Sequence, residues 1–98
     1  MRASLPVEPA VYVPVSPHEA PAAADCVMLC DYELEAVFLV HVEGLTTEEA
    51  ARRMGLSKAT FWRVLEQARY KIAGALARRR PIRVARCGRA GEEKLNNQ

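Results

Sequence analysis

Apolar residues recur at three- and four-residue steps near the middle of the chain: Phe61, Val64, Leu65, Ala68, Ile72 and Leu76. That spacing places them on one face of a helix. Ser57 supplies a side-chain oxygen to cap its start and Pro81 bounds its end, so a helix is predicted over 58–79. Gly74 weakens it by roughly 1 kcal/mol relative to alanine. Upstream, Ala50, Ala51 and Met54 mark the inner face of a shorter helix over 47–54. Thr46 and Glu49 stand three residues apart, the spacing of a reciprocal cap, and Gly55 supplies the left-handed exit. A first helix is predicted over 31–43. Asp31 is its cap, Glu33 and Glu35 suit the positive end of the helix dipole, and Gly44 ends it. Its inner face is assigned to Leu34, Val37 and Phe38, with Leu45 beyond the helix.

The remaining segments follow no helical period. Five of the six prolines fall within residues 1–21, which forbids a stable helix there. Residues 1–30 therefore read as an irregular arm. A short extended piece is expected at 11–13, confined to a sheet edge by Pro14. A second is expected at 82–84, inside a basic tail over 81–98 that is otherwise mobile. The resulting fold class is all-α: a three-helix helix-turn-helix domain over 31–80, between a proline-rich arm and the tail.

The corner at Gly55 bears on function. A steep crossing of two helices needs a small residue at the contact, a glycine at the exit and apolar residues locking both helices to a third. Ala51, Gly55 and the set Met54, Leu56, Phe61 and Val64 fill those places. With Phe61, Val64 and Leu65 turned inward, Lys58, Ala59, Trp62, Arg63 and Gln67 occupy the opposite side. A helix end presenting such side chains fits the DNA major groove, where Arg63 can donate two hydrogen bonds to a guanine edge. Lys58 can do the same or hold a phosphate, and Gln67 can reach an adenine. Thr47, Arg52, Arg53, Ser57, Thr60, Arg69 and Lys71 are the candidate phosphate contacts. Trp62 serves equally as a packing surface for the arm or a second subunit. A helix pair with an alanine and a glycine also occurs in three-helix bundles that bind nothing.

Charge strengthens the nucleic-acid reading. Residues 1–50 carry nine acidic residues and one basic one, net −8; residues 51–98 carry thirteen basic and three acidic ones, net +10. A basic half points to a polyanionic partner. RNA is the weaker choice, because no aromatic stacking platform accompanies the basic residues. Three cysteines, Cys26, Cys30 and Cys87, without a secretory signal, fit a reducing cytoplasm and a structural or incidental role. A zinc site from Cys26, Cys30 and His18 or His41 lacks a second close pair. No apolar run is long enough to span a bilayer. The acidic residues Asp31, Glu33 and Glu35 are accounted for by the helix dipole. No nucleophile–base set and no phosphate loop appear, so neither enzyme activity nor a cofactor is expected.

The stretch from Asp31 to Leu76 resembles uncharacterised protein family 0251 (domain of unknown function 134), short bacterial and archaeal proteins. The matching residues are Glu33-Leu34-Glu35-Ala36, Glu43-Gly44-Leu45, Glu48-Glu49-Ala50-Ala51, Met54-Gly55 with Ser57, and Thr60-Phe61. The match continues through Arg63-Val64-Leu65-Glu66, Ala68-Arg69 and Lys71-Ile72-Ala73. The likeness covers roughly residues 11–84. It implies a DNA-binding protein whose helix-turn-helix is similar to region 4 of sigma factors, with no established target. Three features depart from the family pattern. The arm carries only Arg2 where relatives tend to be rich in Lys and Arg, position 62 is Trp where a small or polar residue is usual, and Arg78, Arg79 and Arg80 make the segment after the last helix more basic.

The expected function is therefore sequence-specific binding of double-stranded DNA by a transcriptional regulator. The alternative is a protein-interaction module that docks on a transcription partner such as RNA polymerase and binds DNA only weakly. A homodimer is a further expectation. The last helix is longer than DNA reading requires, and the pieces at 11–13 and 82–84 can pair within or between chains.

Overall fold

The computed structural model describes residues 5–88. Three helices carry the fold: α1 at Asp31–Val37, α2 at Thr47–Met54 and α3 at Lys58–Ala77. Two short strands, β1 at Val27–Cys30 and β2 at Ile82–Ala85, pair in parallel. The molecule is thus mostly helical but not all-α. The expected strand at 82–84 forms, and its partner is not 11–13 but Val27–Cys30, inside the span read as arm. The register sets Val27 against Ile82, Met28 against Arg83, Leu29 against Val84 and Cys30 against Ala85. The reason is burial. Leu29 and Cys30 reach the core, whereas Val11 and Val13 lie in solvent.

The first helix differs from its prediction in three ways. It is capped from Cys30, whose N–H donates to Glu33 Oε1 at 2.8 Å, and not from Asp31. Asp31 instead accepts from the N–H groups of Tyr32 and Cys87. Beyond Val37 the helix widens into a π-helical turn over Phe38–Val42, where the Glu43 N–H reaches the Phe38 carbonyl at 2.9 Å. Its buried face is Tyr32, Glu33, Ala36 and Leu39; Leu34 and Phe38 are exposed and Val37 is half-buried. The i, i+3, i+4 rule is met by both sets, and the docking of β1 ahead of the helix selects the one that Cys30 leads into.

The core joins Tyr32, Ala36 and Leu39 to Ala50 and Ala51 of α2 and to Phe61, Val64 and Leu65 of α3. Phe61 and Leu65 are the largest side chains wholly removed from water. On α3 the buried row runs Phe61, Val64, Leu65, Ala68 and then Ala75, with Leu76 turned to the surface. The helix ends two residues short of the expected 79. Arg79 takes a left-handed conformation (φ 57°), and the Arg80 N–H closes the exit on the Ala75 carbonyl at 2.8 Å.

Cys30 and Cys87 form a disulfide with a Cα separation of 5.4 Å, which corrects the expectation of a reduced chain and makes the role of these two cysteines structural, the first of the two readings. Cys26 remains free and buried, donating to the carbonyls of Pro21 and Ala22. The bridge ties the segment after β2 to the start of α1, so residues 85–88 are anchored where a mobile tail was expected. The rest of that tail, 89–98, lies outside the described residues. Residues 5–12 run along the end of α3, held by the Tyr12 hydroxyl to the Leu76 carbonyl and by Arg79 to Glu8. A cleft of about 430 Å³ separates arm from helix.

Candidate nucleic-acid interface

The corner between α2 and α3 is built from three local devices. Thr46 and Glu49 cap α2 reciprocally: the Glu49 N–H donates to Thr46 Oγ1 at 3.1 Å, and the Thr46 N–H donates to Glu49 Oε1 at 2.9 Å. These hydrogen bonds hold the Glu49 carboxyl below the usual glutamate range, first through the Thr46 backbone and then through its hydroxyl. Gly55 then turns the chain with φ 70°, and the Leu56 N–H returns to the Ala51 carbonyl at 2.9 Å. Ser57 opens α3 by accepting from the Thr60 N–H at 3.1 Å.

Ala50 and Ala51 are buried in the cluster that joins α2 to α3 and to the first helix, and a larger side chain at either would strain that packing. Met54 and Leu56 pack on the edge of the same cluster. The corner therefore rests on apolar contacts on its inner side, which leaves its outer side to polar residues.

Lys58, Ala59, Trp62, Arg63 and Gln67 are all exposed, on one outward side of the first half of α3. Arg52 and Arg53 are exposed on the last turn of α2. Thr47 is half-buried at the start of α2. Ser57 and Thr60 are engaged with one another, the Ser57 hydroxyl donating to Thr60 Oγ1 at 3.0 Å.

The two remaining predicted phosphate contacts sit elsewhere. Arg69 is drawn into a surface cluster: its guanidinium lies 6.0 Å from the Trp62 ring centre, 3.1 Å from Glu66 Oε2, and donates through Nε to His41 at 3.1 Å. Lys71 turns inward and donates to both Glu33 oxygens at 2.9 and 3.0 Å. Glu33 is 2% exposed, so this pair belongs to the core. The sequence signal for it was present: Lys71 lies ten residues beyond Phe61, on the flank of the buried row.

The structure also exposes Leu34 and Phe38, two residues assigned to the inner face from the sequence. With Val42 they form, at four-residue spacing, an exposed apolar stripe on the first helix and its π-helical turn. No described helix is long and apolar enough to cross a membrane.

Residues 2–92 match the model of a family described as "Protein of unknown function DUF134". Relatives include a UPF0251 protein of Pyrococcus horikoshii, 44% identical over 71 residues, which cover 72% of this chain and 64% of the relative. A UPF0251 protein of Pyrococcus furiosus is 42% identical over 71 residues, with 72% and 65% covered. One from Moorella thermoacetica is 44% identical over 78 residues, with 68% and 52% covered. The chain thus spans less than two thirds of the length of these relatives. No solved structure matches it. Since the matched span takes in the arm, all three helices and both strands, this chain belongs to the DUF134 (UPF0251) family.

Proposed function

We propose that this chain binds double-stranded DNA, with the first turns of α3 entering the major groove, as a transcriptional regulator of the cytoplasm. The observation that carries the reading is the corner itself. A left-handed Gly55 separates α2 from α3, and the five side chains Lys58, Ala59, Trp62, Arg63 and Gln67 stand outward beyond it. Arg63 and Gln67 read base edges; Lys58 reads or clamps; Trp62, backed by Arg69, offers an apolar plate to a thymine methyl or a sugar. Arg52 and Arg53 take phosphates, joined by Thr47, Ser57 and Thr60 at the two helix starts. Lys71 leaves the phosphate set, because Glu33 neutralises it.

Selection from random duplex DNA, read at two salt concentrations, tests this. An enriched sequence is expected, with affinity falling by about 0.9 log units per phosphate contact per decade of salt. Arg63→Ala costs about 1–3 kcal/mol on the selected site and relaxes one base position. Absence of any enriched sequence would sink the reading, and unchanged affinity of Arg63→Ala would remove Arg63 from the reading face.

A second reading, docking on a protein of the transcription machinery such as RNA polymerase, is favoured by the exposed stripe Leu34, Phe38 and Val42. On this reading Phe38→Ser abolishes capture of the polymerase and leaves DNA binding intact.

A further inference from the structure

The pairing expected between residues 11–13 and 82–84 is not made within the chain. β2 takes Val27–Cys30 as its partner, and the sheet stops at two strands. Residues 6–15 belong to no helix or strand and none of them takes part in a backbone–backbone hydrogen bond, the Glu8 carbonyl alone among them being shown to accept, from the Arg79 side chain. Val11 is 88% exposed and Val13 68% exposed, alternating with Tyr12, whose hydroxyl is held on α3. An apolar alternating strand with idle backbone groups is a template for strand addition.

The acceptor is the outer edge of β2. Ile82 and Val84 continue the face on which Leu29 is buried, yet Val84 is 52% exposed because nothing described lies beyond it. A further strand there sets Val11 and Val13 beside Ile82 and Val84 and lengthens the apolar row. Charge selects the same partner. From residue 5 to residue 51 the chain has no Lys or Arg, and the arm carries Glu19 and Asp25 beside Glu8, which Arg79 of its own chain already holds. The segment holding β2 carries Arg78, Arg79, Arg80, Arg83 and Arg86 and no acidic residue. Two arms paired with each other would bring like charges together; an arm on β2 brings opposite ones.

We infer that the arm of one copy adds as a third strand to the β2 edge of a second copy, reciprocally, so that the chain is a two-fold dimer. Pro14, which has no N–H to donate, ends the added strand, and Pro81 marks the start of the edge that receives it. The exchange satisfies backbone groups of both segments and covers the valines and Ile82 in one step. It does not depend on the DNA-binding reading.

Sedimentation equilibrium of the full chain without DNA should give a dimer at micromolar concentration that weakens with added salt. The double variant Val11→Lys, Val13→Lys alters only exposed side chains and should be a folded monomer. In a mixture of isotope-labelled and unlabelled chains, filtered nuclear Overhauser contacts should link the Val11 and Val13 methyls to those of Ile82 and Val84 across chains. A wild-type monomer overturns the inference. So does a dimer that survives the double variant, or one whose filtered contacts run arm to arm or through Leu34, Phe38 and Val42.

Discussion

Glu33 shows how one buried carboxylate organises its neighbourhood. It accepts the Cys30 N–H at the start of α1 and receives the Lys71 ammonium from α3, so it joins a helix cap to a contact between helices. With Glu33 nearly inaccessible, removing the lysine leaves a charge without its counter-ion. Lys71→Met should lower unfolding stability by about 3 kcal/mol in urea titration, with the slope unchanged. At the surface, Glu49 behaves differently. Its folded pKa is depressed by the Thr46 hydrogen bonds, so the stability it adds is present above the unfolded pKa and lost as pH falls through the lower, folded value. A carboxyl titration by NMR should find Glu49 below the usual glutamate range, and Thr46→Ala should recover only part of that shift, because the backbone N–H at position 46 still donates to the carboxylate.

At the scale of elements, the corner between α2 and α3 depends on a backbone conformation. A Cβ on Gly55 would meet nothing within 4 Å, so space is not the constraint there. The left-handed φ is, at roughly 1–2 kcal/mol for an L-residue. Gly55→Ala should therefore lower stability by about that amount in thermal or urea unfolding while the core amide pattern in NMR spectra is retained. A larger loss would mean that the corner rearranges. The first helix makes the complementary point. Its apolar residues Leu34, Phe38 and Val42 obey helical spacing as well as Tyr32, Ala36 and Leu39 do, yet only the second row is buried.

For the whole molecule, the disulfide is the long-range constraint. Cys30 and Cys87 are 57 residues apart, and their bond closes the loop that contains all three helices. Closing a loop of that size restricts the unfolded chain, a contribution of about 2–4 kcal/mol. Cys30→Ser with Cys87→Ser should lower the unfolding midpoint accordingly, and hydrogen exchange should speed up first in β2. Equal protection of β2 in the variant would show that the strand pairing holds without the bridge. The charge division, net −8 before residue 51 and +10 after it, belongs to this scale too. It is spent partly inside the chain, in Glu33–Lys71 and Glu8–Arg79, and the exposed remainder around α3 and β2 is the part on which the proposed DNA contact would draw.

Helical period, caps and glycines are local quantities, which is why the bounds of α2, the start of α3 and the buried set Phe61, Val64, Leu65 and Ala68 could be read directly from the order of residues. The outward set Lys58, Ala59, Trp62, Arg63 and Gln67 followed from the same period, because inward residues define outward ones. The pairing of β1 with β2, the bond between Cys30 and Cys87, the burial of Glu33 against Lys71 and the exposure of Leu34 and Phe38 join residues far apart in the chain or choose between equivalent rows on a helix. Local preference is indifferent to such choices. They are settled by which packing removes most apolar surface from water while leaving no buried charge or backbone group without a partner, a condition that exists only once the chain has folded.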